Sequence, residues 1–205
     1  MAFFVSSALA FNASAMTMVD ITFTATSGTG TTGSNSITAS AGDTLTAAIS
    51  ISPDDAGISS YSISALFDMD FGNELDLLSA NELLNAPFQF NVNPGCASTQ
   101  ESTGGQVGDV FSCEAATFGA GPVQPVTVDI FELVFQVTVN VATDGFDIQA
   151  GFFNTGFDGA FDNAGGSVTP IFGMASVNLV PEPNTALLVG FGLLGFTVCA
   201  RKRSR

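Results

Sequence analysis

Four oxygen-bearing side chains lie close together in the stretch NTGFDGAFDNAGG, and their chemistry suits a metal ion. They are Asn154, Asp158, Asp162 and Asn163. Carboxylate and amide oxygens are the ligands that Ca²⁺ prefers in proteins. The same residue types also bond their own backbone in Asx turns, and glycine-rich segments favour such turns. The stretch therefore predicts either a structural calcium site or a plain turn.

A second acidic pair, Asp68 and Asp70, lies in the stretch DMDFGNELD. Carboxylates two residues apart share one face of a strand, and glycosidases use paired carboxylates. The stretch also begins like an EF-hand loop, but Asn73 replaces the required glycine and Ser79 replaces the final Glu. We therefore expect the pair to mark a strand end that enters a polar turn.

Composition excludes most other catalytic chemistry. The chain has no His, and its 4 Lys and Arg all lie in residues 201–205. Without His there is no Ser-His or Cys-His nucleophile, and without Lys in the body there is no Schiff-base chemistry. A glycosidase would also need aromatic platforms, and the chain has no Trp. We therefore expect a protein that is not an enzyme and needs no cofactor beyond the calcium considered above.

The charge distribution describes an acidic body with a basic end. The 19 Asp and Glu lie between Asp20 and Glu182, and the net charge is -15. Nucleic acid is excluded as a partner of the body, because binding it depends on Lys and Arg that neutralise phosphates. Disorder is excluded too, since 46% of the residues are hydrophobic and 20 are Phe.

The N-terminal segment has the pattern of an export signal. Residues 1–15, MAFFVSSALAFNASA, are apolar and end in Ala13-Ser14-Ala15, an A-x-A signal-peptidase site. The segment lacks the basic start of an ordinary signal peptide, so either the true start codon lies upstream or the segment is a buried first strand. We predict a signal peptide, because the opposite end of the chain also indicates export.

The cysteines fit an oxidising compartment. Cys96 and Cys113 bracket a stretch rich in Gly, Ser and Thr, whereas Cys199 lies apart in the apolar tail. Exported cysteines at this spacing would pair, and closing such a loop stabilises the fold by about 3 kcal/mol on the chain-entropy model. Two buried thiols are the alternative. We do not expect these cysteines to bind a metal ion, because the usual His and Cys-x-x-Cys ligands are absent from the sequence. We predict a disulfide.

The C-terminal segment predicts a short membrane-spanning helix. The apolar run 186–200 would be about 22 Å long as a helix, and Asn184, Thr185 and snorkelling arginines can extend it toward the about 30 Å of bilayer hydrocarbon. A basic cluster beside such a run stays in the cytoplasm, which leaves the body outside. The cluster consists of Arg201, Lys202, Arg203 and Arg205.

Pro181-Glu182-Pro183, the apolar run and the basic end follow one another in residues 180–205. In this order they resemble the PEP-CTERM sorting signal. The resemblance implies a partner, an exosortase, which is a membrane cysteine protease of Gram-negative bacteria that make exopolysaccharide. It also implies transit across the inner membrane, removal of the tail and delivery to the cell surface or matrix. Such a signal is an address rather than a permanent anchor. An ordinary single-span anchor is the alternative.

The body, residues 16–179, has the hydrophobic pattern of β-strands. The run 126–141 is too rich in β-branched and aromatic residues for a helix. The stretches GDTLTAAISIS and ISSYSISALFDMDF alternate apolar and polar residues as half-buried strands do. In the run 126–141, alternation predicts one buried face made of Phe131, Leu133, Phe135, Val137 and Val139.

About nine short strands are separated by Gly, Asn, Asp and Pro. One short helix is expected in SANELLNA, where Ser79 would cap it and Glu82 would complete a capping box. Many short strands with turns between them predict an all-β fold, a single β-sandwich of jelly-roll or Greek-key type.

Two further stretches indicate the kind of sandwich. ITASAGDTLTAAISI, followed by a strand that ends in ALFDMDF, is similar to the opening strands of cohesin-like domains. That resemblance implies a scaffold or a module that binds dockerins or carbohydrate. Tyr61 is the one tyrosine, which disfavours a sugar-stacking surface. We therefore expect an exported structural protein of the surface or matrix, with a module that binds protein or exopolysaccharide as the alternative.

Overall fold

The computed structural model describes residues 16–26, 35–67, 74–83, 88–91, 96–103, 106–117, 119–123, 125–138, 146–153 and 158–179, and they form an all-β structure. Fourteen strands occur in these ranges: β1 (Met18–Thr26), β2 (Ser36–Ala39), β3 (Thr44–Ser52), β4 (Ser60–Phe67), β5 (Leu75–Glu82), β6 (Phe88–Asn91), β7 (Ala97–Thr103), β8 (Gln106–Thr117), β9 (Val128–Val137), β10 (Ile148–Gly151), β11 (Gly159–Phe161), β12 (Ser167–Val168), β13 (Ile171–Phe172) and β14 (Met174–Leu179).

The strands form two sheets. The first sheet has the order β13-β1-β3-β9-β5. The second sheet has the order β12-β11-β4-β10-β14-β2. β8 also pairs with β4, and β6 and β7 belong to the same sheet because each pairs with β8. Most neighbours are antiparallel, but β13 is parallel to β1, and β14 is parallel to β2.

The two sheets pack face to face, as a β-sandwich requires. Phe67 of β4 contacts Phe135 of β9 edge to face, with ring centroids 5.1 Å apart. Phe111 of β8 contacts Phe131 of β9 in the same way at 5.5 Å. Each contact joins one sheet to the other, so the predicted β-sandwich is confirmed.

Alternation along the strands decides which residues enter this core. The predicted apolar face of β9 is buried through Val137, and Val139 lies outside the described residues. The faces predicted for β3 and β4 are also at most 3% exposed, and they consist of Leu45, Ala47, Ile49, Ile51, Tyr61, Ile63, Ala65 and Phe67.

The prediction of a helix at SANELLNA is wrong. Its first four residues belong to β5, which pairs with β9 from Leu75↔Val137 to Glu82↔Phe131. The register shifts between Leu77 and Ser79, and this lets Leu77 and Ala80 both pack against the core. A capping box stabilises a helix by only about 1 kcal/mol, whereas the strand closes one edge of the first sheet. Tertiary pairing therefore overrides the local signal.

Several predicted segments lie outside the described residues. They are the signal peptide at 1–15, the acidic pair Asp68 and Asp70, and the membrane run 186–200 with its flanking motif and basic cluster. Among the residues that are described, none belongs to a helix long and apolar enough to cross a bilayer.

Candidate functional site

The described part of the Asx-rich stretch, residues 158–166, contains β11 and the turn that leads to β12, and Asp162 organises this turn. The backbone N–H of Asp162 donates to the carbonyl of Gly166 at 2.8 Å. The Asp162 Oδ1 atom accepts from the N–H of Ala164 at 2.8 Å and from that of Gly166 at 2.7 Å. Gly165 has a φ of 84°, a left-handed conformation that glycine adopts readily. Asp162 therefore makes the turn-type contacts expected of an Asx residue.

Asn163 connects this hairpin to two neighbouring loops. Its Oδ1 atom accepts from the N–H of Gly121 at 2.6 Å, and its Nδ2 atom lies 3.4 Å from the carbonyl of the same residue. Gly57 packs closely here with a φ of 73°, and a Cβ atom on it would collide with Asn163 Nδ2 and the Pro122 carbonyl. Asn163 thus joins the loop after β3, the loop after β8 and the β11–β12 hairpin.

Asp158 points away from that turn and onto β4. Ser62 donates to Asp158 Oδ1 at 2.9 Å, and Ser64 donates to Asp158 Oδ2 at 2.6 Å. The hydroxyls of Ser64 and Ser112 lie 2.6 Å apart, and Ser62 Oγ lies 3.3 Å from Glu114 Oε1. We call these five residues the serine–carboxylate cluster.

The serine–carboxylate cluster lies on the side of the second sheet that faces away from the first. Its residues on β4 alternate with Ile63 and Ala65, which belong to the core, and alternate side chains of a strand point to opposite faces. Ser64 is nevertheless 0% exposed. Sequence reasoning did not identify this cluster. The alternation in YSIS indicates a polar face, but nothing local identifies Asp158 as its partner.

The described members of the predicted calcium set have separate partners. Asp158 bonds β4 serines, Asp162 bonds its own turn, and Asn163 bonds Gly121. Asn154 lies outside the described residues. Across the part of the chain that the structure describes, no group of three or more His, Cys, Asp or Glu side chains is arranged to hold a metal ion.

Tyr61 faces the core rather than solvent. It is 3% exposed, and its ring contacts that of Phe88 edge to face at 4.9 Å. The hydroxyl has no hydrogen-bond partner among the described residues. Burial raises the pKa of Tyr61 well above its usual value, and the charge of Glu82 adds to the effect. The one amphipathic aromatic side chain is thus withdrawn from any sugar-stacking surface.

Cys96 and Cys113 are joined by a disulfide in the structure, with Cα atoms 4.1 Å apart. Cys96 immediately precedes β7 and Cys113 lies in β8, next to the register pair Ala97↔Ser112. The bond therefore ties together the open end of the β7–β8 hairpin. Cys113 is 0% exposed, so its sulfur also belongs to the core.

The last described strand leads directly into the tail. β14 pairs with β2 over four positions, from Ser176↔Ser36 to Leu179↔Ala39. A single residue, Val180, separates Leu179 from Pro181 in the sequence. The segment that matches a known family begins at this point: residues 179–203 match the model of the PEP-CTERM protein-sorting motif.

The tail is a PEP-CTERM sorting motif. The motif implies an exported protein with a membrane-anchored C-terminal sorting signal, of the kind that an exosortase processes in Gram-negative bacteria. The matched residues include Pro181-Glu182-Pro183, the apolar run 186–200 and the first part of the basic cluster. The PEP-CTERM match covers the tail and only the last residue of β14, so it does not describe the sandwich.

The sandwich is similar to solved cohesin modules at low sequence identity. CaCohA2 from Clostridium acetobutylicum is 14% identical, with 82% of this chain and 94% of that chain covered and a TM-score of 0.46. A non-cellulosomal cohesin from the archaeon Archaeoglobus fulgidus is 14% identical, with coverages of 84% and 96% and a TM-score of 0.40. No curated protein matches the chain in sequence.

Proposed function

We propose that this protein is a non-enzymatic component of the cell surface or extracellular matrix, delivered there after an exosortase removes its tail. The observation that carries the proposal is the PEP-CTERM motif at residues 179–203, which begins at the last residue of β14, the last strand in the described residues. The body then acts outside the cell as a folded module, in association with the exopolysaccharide that such bacteria secrete.

Charge supports the orientation of the precursor. The 4 Lys and Arg of the chain lie in residues 201–205, so no basic segment within residues 1–200 competes for the cytoplasmic side. The body crosses the inner membrane and the basic end stays behind. The molecule is anchored only until the tail is removed, and the processed body carries no cationic side chain.

The contacts of the carboxylates support a structural role rather than a catalytic one. Catalysis by paired carboxylates requires one of them to reach a substrate. Asp158 is held by Ser62 and Ser64, and Ser62 also lies beside Glu114. Asp162 is used by its own turn. These contacts hold surface segments against the second sheet.

The proposal is tested by the mass of the exported protein. The full chain is expressed in a PEP-CTERM host with and without its exosortase. We expect surface-extracted protein from the complete host to end near Pro183. A variant with Pro181→Ala and Pro183→Ala serves as the matched control and should retain the tail. Recovery of Arg205 in surface protein from the complete host would overturn the proposal.

A second candidate, a protein-binding module, is favoured by exposed apolar residues at one end of the sandwich. Ile148 of β10 is the register partner of both Ala175 in β14 and Phe67 in β4. β14 therefore runs past the Phe67 end of β4 to Leu179, where the tail begins. Phe161 pairs with Ser60, at the other end of β4. Phe161 therefore lies at the end opposite to the tail, where an anchored molecule would meet its surroundings. It is 46% exposed.

Two further apolar residues extend that end of the sandwich. Val123 lies against Gly57, and the N–H of Val126 donates to the Val123 carbonyl at 3.2 Å. They are 42% and 48% exposed. We test this candidate by measuring retention of purified matrix components on immobilised protein. Loss of a retained protein in Phe161→Ser with Val126→Ser, but not in Gln136→Ser on β9, would favour the binding module. Equal retention by both variants would exclude this surface.

A further inference from the structure

The sorting motif begins inside the folded domain. Leu179 is the last residue of β14 and also the first residue of the matched motif. Pro183, at the end of the Pro-Glu-Pro sequence, is four residues further on, a span of at most about 14 Å even for a fully extended chain. Any bond cut near this sequence therefore lies close to the surface of the sandwich.

The end of β14 is held mainly by one neighbour. β14 pairs with β10 at only two positions, Met174 and Ala175, and with β2 at the four positions that follow. The backbone N–H of Ser176 donates to the carbonyl of Asn35 at 2.9 Å, and Asn178 Nδ2 donates to Ser36 Oγ at 2.9 Å. Asp147 immediately precedes the first residue of β10, and its carboxylate accepts a hydrogen bond from the backbone N–H of Val177.

The β14–β2 pair also contributes to the core. Val177 is 5% exposed, and its neighbours Ile37 and Ala39 in β2 are 1% and 0% exposed. In the described residues, β2 is the last strand of the second sheet and has no other strand partner. Separation of β14 from β2 is thus a local event at one edge, of the kind that proteins undergo without global unfolding.

A protease cleft surrounds the segment that it cuts and takes it in extended form, bonding backbone groups that a sheet would otherwise use. Leu179, the first residue of the motif, cannot be surrounded in this way while its backbone pairs with Ala39 of β2. We propose that the exosortase cuts only molecules in which the end of β14 has separated from β2, so that β14–β2 pairing sets the rate of tail removal. This inference rests on the proposed function, in which an exosortase removes the tail.

The consequence for rate follows from the equilibrium between paired and separated β14. When opening is fast relative to cutting, the rate of proteolysis tracks the population of the open form. Moving the motif away from the strand should remove this dependence. Fixing β14 to β2 should make the open form inaccessible.

The test is a pulse-chase measurement of tail removal from the full chain in a host with its exosortase. One variant carries an inserted Gly-Ser linker of about six residues between Val180 and Pro181, which adds about 20 Å when extended. A second variant, Thr38→Cys with Asn178→Cys, places a cross-link between exposed register partners of β2 and β14. A third variant combines both changes. The matched control, Met18→Cys with Ser52→Cys, cross-links register partners of β1 and β3.

We expect the linker variant to be processed about tenfold faster than the wild type and the β2–β14 cross-link about tenfold slower or not at all. The combined variant should be processed as fast as the linker variant, and the β1–β3 cross-link should match the wild type. Wild-type rates for the linker variant overturn the inference, even if the cross-linked proteins fail to fold, because the insertion lies outside the strands. If no variant loses its tail in the complete host, the proposed function fails and the inference falls with it.

Discussion

Ser64 of β4 donates a hydrogen bond of 2.6 Å to Asp158 Oδ2, although 94 residues separate the two in the chain. The serine is 0% exposed, so water cannot replace Asp158 as the acceptor of its hydroxyl in the folded protein. The bond therefore holds the segment before β11 against the second sheet. It lies on β4 at the boundary between the residues that pair with β11, Ser60 to Ser62, and those that pair with β10, Ser64 to Phe67.

Removing this acceptor should destabilise the fold. Asp158→Ala removes a carboxylate acceptor from Ser62, which keeps Glu114, and from the buried Ser64, which keeps only Ser112. A buried hydroxyl that loses a charged acceptor costs about 1–3 kcal/mol. We expect urea unfolding to report a loss of that size. Asp129→Ala on β9 is the control, since it removes the same charge from an exposed position. Equal effects of the two changes would show that the serine bonds contribute nothing.

The sandwich could be predicted from sequence where side chains alternate clearly. Leu45, Ile49 and Phe131 each lie in runs with a period of two, and all are buried as expected. The strands β12 and β13 have only two residues each, too few for a period to appear. β7 has the sequence ASTQEST, which lacks apolar alternation. It forms a strand because β8 pairs with it along its whole length.

The candidate site was predictable in part. The turn chemistry of Asp162 follows from its immediate neighbours, so the Asx-turn alternative could be stated from sequence. The partners of Asp158 and Asn163 could not, because strand register places Ser62 opposite Gly159 and a distant loop brings Gly121 to Asn163. Local sequence does not encode register between strands that are far apart in the chain.

Tyr61→Phe tests whether the buried hydroxyl contributes to stability. In the described residues it has no hydrogen-bond partner, and burying an unpaired hydroxyl is unfavourable. We expect the free energy of unfolding to stay unchanged or to rise by about 1 kcal/mol, because the ring keeps its contact with Phe88. A loss of more than about 1 kcal/mol in thermal or urea unfolding would mean that the hydroxyl has a partner.

Glu82 should make stability depend on pH. It occupies a core-facing position opposite Phe131, and burial raises the pKa of its carboxyl above the ordinary value of 4.5. A raised folded-state pKa means that the protonated form is favoured by folding. This contribution is complete below the ordinary value and is lost as pH rises through the raised value. Glu82→Gln should therefore lose less stability than the wild type as pH rises from that ordinary value toward neutrality. Parallel pH profiles would contradict the prediction.

The disulfide between Cys96 and Cys113 should be present in exported protein. Non-reducing peptide mapping with chymotrypsin should recover the two cysteines in one linked peptide, whereas trypsin has no site before Arg201. Replacing both by Ala should lower the free energy of unfolding by about 3 kcal/mol, the loop-closure contribution for a stretch of this length. Two thiols that react with iodoacetamide in native exported protein would contradict the pairing.

Salt should stabilise the body by screening its carboxylates. All Asp and Glu except Glu182 lie between Asp20 and Asp162, and no cationic side chain precedes Arg201. Gathering these charges on one domain costs repulsion that the expanded chain partly escapes. The Debye length falls from about 30 Å at 0.01 M salt to about 10 Å at 0.1 M. The Tm should therefore rise with NaCl over this range. A flat curve would count against repulsion as a significant term.

Divalent cations separate this screening from a calcium site. With Asp162 engaged by its own turn and Asp158 by serines, we expect Ca²⁺ and Mg²⁺ at equal ionic strength to raise the Tm equally. A specific site would instead add stability in proportion to the logarithm of Ca²⁺ concentration above its Kd, and Mg²⁺ would not reproduce the gain because it demands tighter octahedral geometry. An additional rise with millimolar Ca²⁺ that disappears in Asp162→Ala but persists in Asp129→Ala would establish the site. Each carboxylate change removes one charge, so screening alone cannot distinguish these two variants.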